Sequence, residues 1–453
     1  MKVQNHVSLP STEKVIMLKK IEGFSKLSKE EKINWITQMH FEDAQKARET
    51  LLNYNHSNAK VQKKHDEFIE NSVANYYLPL GVAPNFLING EYHTLPMAIE
   101  ESSVVAAASK AAKFWASRGG FQTKILGTEK IGQIHFLFDG NINQLQSFFE
   151  EQKQTLIEST RSLTENMIKR GGGIIDIVLK DKSHLIENYY QLHLTFETVD
   201  SMGANFINSC LEQIAKTLES LAIEYPIFLE NQLSIEVIMS ILSNFVPQCL
   251  VQAEVRCPTE KLEGEQGMSG LQFAQKFIQA VKIAEKEPYR AVTHNKGIMT
   301  GVDAVVIATG NDFRAVEAGV HAYAAQKGNY SSLSHAFLEG DEFVFQLKLP
   351  LSLGTVGGLT QLHPMVKWSV ELLGNPNAKK LMGIVAVAGL AQNFAAIRSL
   401  ITSGIQKGHM KMHLLNILNQ NNASNEQKEK ALEFFKTHTV SYSAVSEFLK
   451  SNP

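Results

Sequence analysis

The sequence predicts an α+β fold in which a strand-rich stretch, from about residue 123 to 240, interrupts a chain that is otherwise mainly helical. Three observations carry this. Short apolar runs of strand length (Ile134 to Phe138, Ile174 to Val178, Tyr190 to Phe196) alternate with helical stretches (Ile142 to Thr155, Asn205 to Ile223), the order that two strand-helix units on one antiparallel sheet require. On either side of that stretch apolar residues recur mostly at helical spacing. At 453 residues the chain is long enough for two or three domains of roughly 150 residues each.

Residues 1 to about 75 are rich in Lys, Glu, Asn and Gln with helical apolar spacing, which predicts a helical lead-in. Ser28 before Lys29-Glu30-Glu31 is placed as an N-cap with an acidic first turn. Lys60, Lys63 and Lys64 read as a solvated helix face. From Tyr77 to Leu95 the pattern becomes strand-like, punctuated by Pro79, Pro84 and an Asn89-Gly90 turn. A helix then opens at Glu100-Glu101-Ser102-Ser103 and continues into Val104-Val105-Ala106-Ala107-Ala108, with carboxylates at the positive end of its dipole. Beyond 241 come longer helices and glycine-rich turns, among them Gly354-Thr355-Val356-Gly357-Gly358. After Gly404 a polar segment of helical spacing reaches the C-terminus as a small, loosely attached unit. The divisions are therefore 1–122, 123–240, 241–404 and 405–453.

A net charge of -2, with 20% charged residues, gives the overall balance no bias toward nucleic acid, so the ligand is recognised locally. Cys210, Cys249 and Cys257 show no paired spacing, which argues against a disulfide framework or zinc site and fits a reducing cytosol. The N-terminus shows no apolar leader region, and no stretch of about 18 uninterrupted apolar residues occurs, so a soluble cytoplasmic protein is expected.

Candidate chemistry centres on Thr293-His294-Asn295-Lys296-Gly297, where Lys296 reads as lying in a polar loop beside apolar, core-like runs. Asp312 follows sixteen residues later. An ammonium beside a carboxylate stays charged and can stabilise a developing oxyanion, although Asp312 reads equally as a helix cap with Arg314 paired to Glu317. Glu100-Glu101 serve as dipole complements, or Glu101, held among Met97, Ile99, Val104 and Val105, is desolvated into a proton donor. His409 and His413 stand four apart, a spacing used by metal sites, but no third ligand is evident; an imidazole donating a proton is preferred, and no metal is expected. Gly171-Gly172-Gly173, the Gly203 turn and Gly354 to Gly358 could each approach a phosphate, yet none forms the G-x-G-x-x-G fingerprint of a Rossmann domain.

With these residues in view, the chain resembles the class II (bacterial) 3-hydroxy-3-methylglutaryl-coenzyme A reductases. The motifs that carry the resemblance are Glu100-Glu101-Ser102-Ser103, Asp200-Ser201-Met202-Gly203-Ala204-Asn205, Pro288 to Gly297, Ala308 to Tyr323, and Gly404 to His413. The resemblance implies a catalytic set of Glu101, Lys296, Asp312 and His409. It implies cofactor contacts from Asp200, Met202, Gly203 and Asn205, and contacts to the acid end of the substrate from Ser103, Asn244 and Arg290. It further implies a helical large domain for the acyl-CoA (1–122 and 241–404), an inserted ferredoxin-like domain for NAD(P)H (123–240), a C-terminal flap carrying the histidine (405–453), and dimers with active sites at the subunit interface. Two departures stand out: Ser102 where the family usually has proline, and Thr300 where it has asparagine. Thr164 falls where NADH-preferring members have an aspartate. Without that carboxylate, and with Arg161 or Lys169 nearby, NADPH is expected ahead of NADH.

The implied reaction reduces the thioester to a primary alcohol in two hydride transfers. Lys296 stabilises the oxyanion, Asp312 holds the lysine, His409 protonates the departing CoA thiolate, and Glu101 protonates the carbonyl oxygen of the aldehyde. Competing readings are a reductase of another acyl-CoA thioester and a non-catalytic CoA- or nucleotide-binding protein; the four proton-handling residues argue against the second.

Overall fold

The computed structural model describes residues 20–263, 267–402 and 414–452, and the chain divides into two units, 1–78 and 79–453. In the first, Ser28 forms a capping box: its hydroxyl accepts the Glu31 N–H at 3.3 Å and the Glu31 carboxylate accepts the Ser28 N–H at 2.8 Å. The helix it starts, α1 (Lys29–His40), leads to α2 (Ala44–Asn53), capped by Asp43, and α3 (Ala59–Asp66), capped by Asn58. Lys29 ties α1 to α3 through Asp66 at 2.6 Å. This is the helical lead-in the sequence predicts, with Lys60, Lys63 and Lys64 exposed on α3.

The second unit opens with an antiparallel hairpin, β1 (Leu80–Ile88) and β2 (Glu91–Ala98), turned at Asn89 and Gly90, whose φ angles of 49° and 85° suit a type I′ turn. Helix α4 (Val104–Ala116) begins after the carboxylates rather than at them; Ser103 is its N-cap, at φ 75°. A short β3 (Gln122–Ile125) precedes β4 (Lys130–Phe138), α5 (Ile142–Glu158), α6 (Arg161–Ile168), β5 (Gly173–Asp181), β6 (Tyr189–Glu197), α7 (Ala204–Glu224), α8 (Pro226–Glu230) and β7 (Ile235–Ser243). The four strands β4 to β7 form one antiparallel sheet in the order β5-β6-β4-β7, the β-α-β-β-α-β arrangement of a ferredoxin-like fold. Alternate residues of its strands point inward: Ile134, Phe136 and Phe138 of β4 and Leu192, Leu194 and Phe196 of β6 are buried with Phe148 of α5 and Leu211 of α7 in a core of their own.

The rest of the unit comprises β8 (Leu250–Pro258), α9 (Gly270–Lys286), α10 (Pro288–Ala308), α11 (Phe313–Ala325), β9 (Ser334–Glu339), β10 (Glu342–Pro350), α12 (Leu359–Leu362), α13 (Pro364–Leu372), α14 (Ala378–Ile401), a helix over 414–420 (α15), α16 (Asn425–Phe434) and α17 (Tyr442–Ser451). Strands β3, β8, β10 and β9 form a second antiparallel sheet, in that order, within a region the sequence suggests is helices and turns. Its core includes α14, which is long and apolar enough to cross a membrane by length and composition but is mostly buried inside the protein. α10 lies close against α14 because glycines remove the side chains between them: a Cβ on Gly301 would stand 2.4 Å from the Ala388 carbonyl oxygen, and one on Gly389 2.9 Å from Val302. Leu418, Ala431 and Val445 centre a third, small core for α15 to α17. The three cysteines are buried and free, and burial pushes their thiols up to about 12 (Cys210) and about 11 (Cys249, Cys257), so they do not act as nucleophiles near neutral pH.

Candidate active site in two halves

Lys296 sits on α10, not in a loop. The helix starts cleanly because Pro288 occupies its first turn and the Glu287 carboxylate accepts the Tyr289 and Arg290 N–H groups at 3.1 and 2.6 Å. His294 and Asn295, poor helix formers, are accommodated because they are buried and bonded. Asn295 donates to Ser331 O at 2.9 Å and accepts the Leu333 N–H at 3.1 Å, and His294 Nε2 meets the Ser334 hydroxyl at 2.7 Å, which in turn donates to Asn393 Oδ1 at 2.8 Å. That anchoring turns Lys296 outward, where its Nζ pairs with Glu101 Oε2 at 2.9 Å. The apolar enclosure expected around Glu101 is not formed: its side chain is 40% exposed and faces an ammonium.

Around this pair α4, α10 and α14 enclose a cavity of about 550 Å³ lined by Glu101, Ser103, Lys296, Thr300, Gln392 and Arg398 among others. A second cavity of about 420 Å³, lined by Arg290, His294 and Asn393, shares Thr293, Gly297 and Ala396 with the first. The space is of the size that receives small ligands. Gly297 keeps it open, since nothing lies within 4 Å of where its Cβ would be. Among the described residues, three buried polar atoms on these walls have no hydrogen-bond partner: His294 Nδ1, Gln392 Oε1 and Asn393 Nδ2. Buried polar atoms are normally bonded, so these are groups to which a ligand can bond. Of these, Gln392 and Asn393 belong to no motif, and their one signal in the sequence is a polar pair in the middle of an otherwise apolar stretch. Burial, followed by the positive charges of Arg290 and His335, holds the His294 imidazole down at about 3, so it stays neutral.

Asp312 does not join this half within one chain. It caps α11, accepting the Arg314 and Ala315 N–H groups at 3.0 and 3.2 Å, and pairs with Arg314 at 3.2 Å; Arg314 thus pairs with Asp312, not with Glu317. Lys296 lies twelve residues before the end of α10, so about 18 Å of helix separates it from the turn that carries Asp312.

What surrounds Asp312 is a second constellation. Its neighbour Asn311 accepts the Gly354 N–H at 2.8 Å, and Gly354 comes so near the loop before α7 that a Cβ there would lie 2.5 Å from Met202 N. In that loop Asp200 accepts the Thr355 N–H through its carbonyl and the Ala378 N–H through its carboxylate, both at 2.8 Å. Gly203, at φ 87°, is the N-cap of α7, and no side chain caps the free N–H groups of that first turn, where Asn205 is exposed. Asn244 lies here, apart from Ser103 and Arg290 of the same chain, lining a small cleft with Met202, Ala204 and Val316. Thr164 is buried in α6 and donates its hydroxyl to Thr160 O at 3.1 Å, so it presents nothing to a ligand. His409 and His413 lie outside the described residues. Among the described residues no group of three His, Cys, Asp or Glu side chains could hold a metal ion.

The family model for hydroxymethylglutaryl-coenzyme A reductase matches residues 28–414. The chain is 35% identical to the 3-hydroxy-3-methylglutaryl-coenzyme A reductase of Archaeoglobus fulgidus, covering 92% of this chain and 91% of that one. It is 32% identical to the probable enzyme of that name from Borreliella burgdorferi, covering 96% and 97%. Among solved structures it is similar to the class II enzyme of Streptococcus pneumoniae bound to NADPH in open conformations, with a TM-score of 0.70 and 36% identity over 84% of this chain and 99% of that one.

Proposed function

This chain belongs to the hydroxymethylglutaryl-coenzyme A reductase family, and from that premise we propose that it reduces 3-hydroxy-3-methylglutaryl-CoA to mevalonate and CoA, using NADPH, in sites that two copies of the chain build together. The observation that carries the composite site is the separation of its parts. Glu101 and Lys296 share a cavity, while Asp312 stands beyond the far end of α10 with the loop of Asp200 to Gly203. A second copy brings its Asp312 half to the first copy's Lys296 half, so the expected lysine-carboxylate contact is made between subunits.

The residues present suit a dinucleotide. α7 is 21 residues long, its N-terminal N–H groups have no side-chain cap, Gly203 supplies the positive φ of the turn that starts it, and Gly354 lets a second loop pack against Met202 beside that turn. Residues 123–240 are accordingly the cofactor-binding part. Arg161, exposed on the first turn of α6, is the cation we assign to a 2′-phosphate, since Lys169 is held by Glu165 at 2.8 Å. When bound, NADPH supplies the hydride. The Lys296 ammonium stabilises the oxyanion that forms on the thioester carbonyl, with the partner subunit's Asp312 keeping it charged, an effect worth roughly 3 kcal/mol. When the C–S bond breaks and the aldehyde forms, His409 gives its proton to the thiolate. In the second reduction Glu101, which shares the cavity with Lys296, is the residue we assign to protonating the carbonyl oxygen of the aldehyde as the second hydride arrives. Arg290 and Ser103 take the substrate's carboxylate. The protein acts in the cytoplasm.

The test is nicotinamide absorbance with purified protein and 3-hydroxy-3-methylglutaryl-CoA, run with NADPH and NADH in parallel and Lys296→Met as control. Two NADPH consumed per thioester, with the variant silent, is the expected result. No oxidation with either cofactor, or preference for another thioester, overturns the proposal.

A further inference from the structure

Lys130 opens β4 with only 4% of its surface exposed, so a charged group has been taken almost wholly out of water. Burial drives its pKa down, opposed by the nearby Cys249, Glu197 and Asp200. Its Nζ donates to Ser201 O at 2.8 Å and to the Thr198 hydroxyl, which itself donates to Ser201 O at 2.6 Å. All these contacts fall on the loop between β6 and α7. That loop is strained: Val199, a β-branched residue, has φ 52°, and a Cβ at Gly203 would lie 2.5 Å from Thr198 Cγ2. The Val199 N–H is held by Glu197 Oε1 at 2.7 Å, and the other Glu197 oxygen by the Thr128 hydroxyl. Strain of this kind persists only where surrounding contacts over-determine the backbone, and it concentrates at functional sites. A methionine would fill the same volume without desolvating a charge, so packing alone does not explain a lysine here.

We propose that Lys130 is a positioning residue for the dinucleotide: its ammonium clamps Thr198 and Ser201 so that the strained loop presents the free N–H groups of α7, and it adds positive charge behind the pyrophosphate. This rests on the reductase reading, which wild-type turnover tests separately. The experiment compares wild type, Lys130→Met and Thr198→Val, measuring NADPH affinity by cofactor fluorescence without thioester and then kcat and both KM values. For Lys130→Met the Kd and KM for NADPH rise on the order of tenfold, the scale of one lost charge-assisted contact. The kcat and the KM for the thioester stay within about twofold. Thr198→Val, which keeps the ammonium but removes the bridging hydroxyl, gives a smaller rise of the same kind. Unchanged NADPH affinity in a folded Lys130→Met protein overturns the proposal, as does a loss spread equally over both substrates. If that variant does not fold, unchanged NADPH affinity in Thr198→Val overturns it instead.

Discussion

If each active site takes Lys296 from one subunit and Asp312 from the other, two dead variants should rescue one another. Lys296→Met removes the ammonium. Asp312→Asn removes the charge but leaves a residue that still caps α11. Each alone should lose about 10²- to 10³-fold in kcat, the scale of one electrostatic group at a developing oxyanion. Because about 18 Å of helix keeps the two positions in different half-sites, a dimer of one variant with the other holds one doubly altered site and one fully native site. Random exchange makes half of all dimers mixed, so the mixture should recover about a quarter of wild-type activity. The assay is NADPH oxidation after subunit exchange, with mixed dimers counted by native mass spectrometry. The control is Glu101→Gln with Lys296→Met: both lie in one half-site, so their mixture should recover nothing. Parental activity in the first mixture, with mixed dimers present, would refute the composite site.

Two further outcomes follow from burial and close packing. The His294 imidazole, at about 3 in the folded protein against 6.5 unfolded, is favoured neutral by the fold, so its contribution is complete above pH 6.5 and lost as the pH falls toward 3, by up to about 1.4 kcal/mol per pH unit. Between pH 7.5 and 5 the wild type should therefore lose about 2 kcal/mol more than His294→Gln in denaturant titrations, and parallel curves would contradict this. Gly301→Ala places a methyl 2.4 Å from the Ala388 carbonyl oxygen, which should force α10 from α14 and destabilise the protein by about 1–3 kcal/mol. An unchanged melting temperature would show that the two helices are not held as close as described.

Much of the ferredoxin-like part was legible because burial there is one-sided: β4, β6, α5 and α7 each carry one apolar face, and the 2 and 3.6 periods separate cleanly. The sheet of β3, β8, β10 and β9 is harder to see in the sequence, although β8 alternates Val251, Ala253, Val255 and Cys257, all buried, with Gln252, Glu254 and Arg256, because long helices around it dominate the pattern of the region. Lys296 reads as a loop residue because His294, Asn295 and Gly297 have weak helix propensity, and tertiary bonds to Ser331, Leu333 and Ser334 support the helix there. Motifs name candidate site residues but not their division into two groups, since sixteen residues of sequence fix no distance until the backbone between them is known to be helical. Thr164 shows the same limit: which face a side chain takes is set by packing, not by its place in a motif.

Seen this way, α10 is a ruler with an angular scale as well as a linear one. Inserting a single residue between Gly297 and Ala308 would advance its far end by about 1.5 Å and rotate everything beyond by about 100°. In the proposed composite site, the Lys296 and Asp312 halves would then no longer match in phase. A substitution along this helix changes one side chain, whereas a change in its length would be felt in both active sites of the proposed dimer at once.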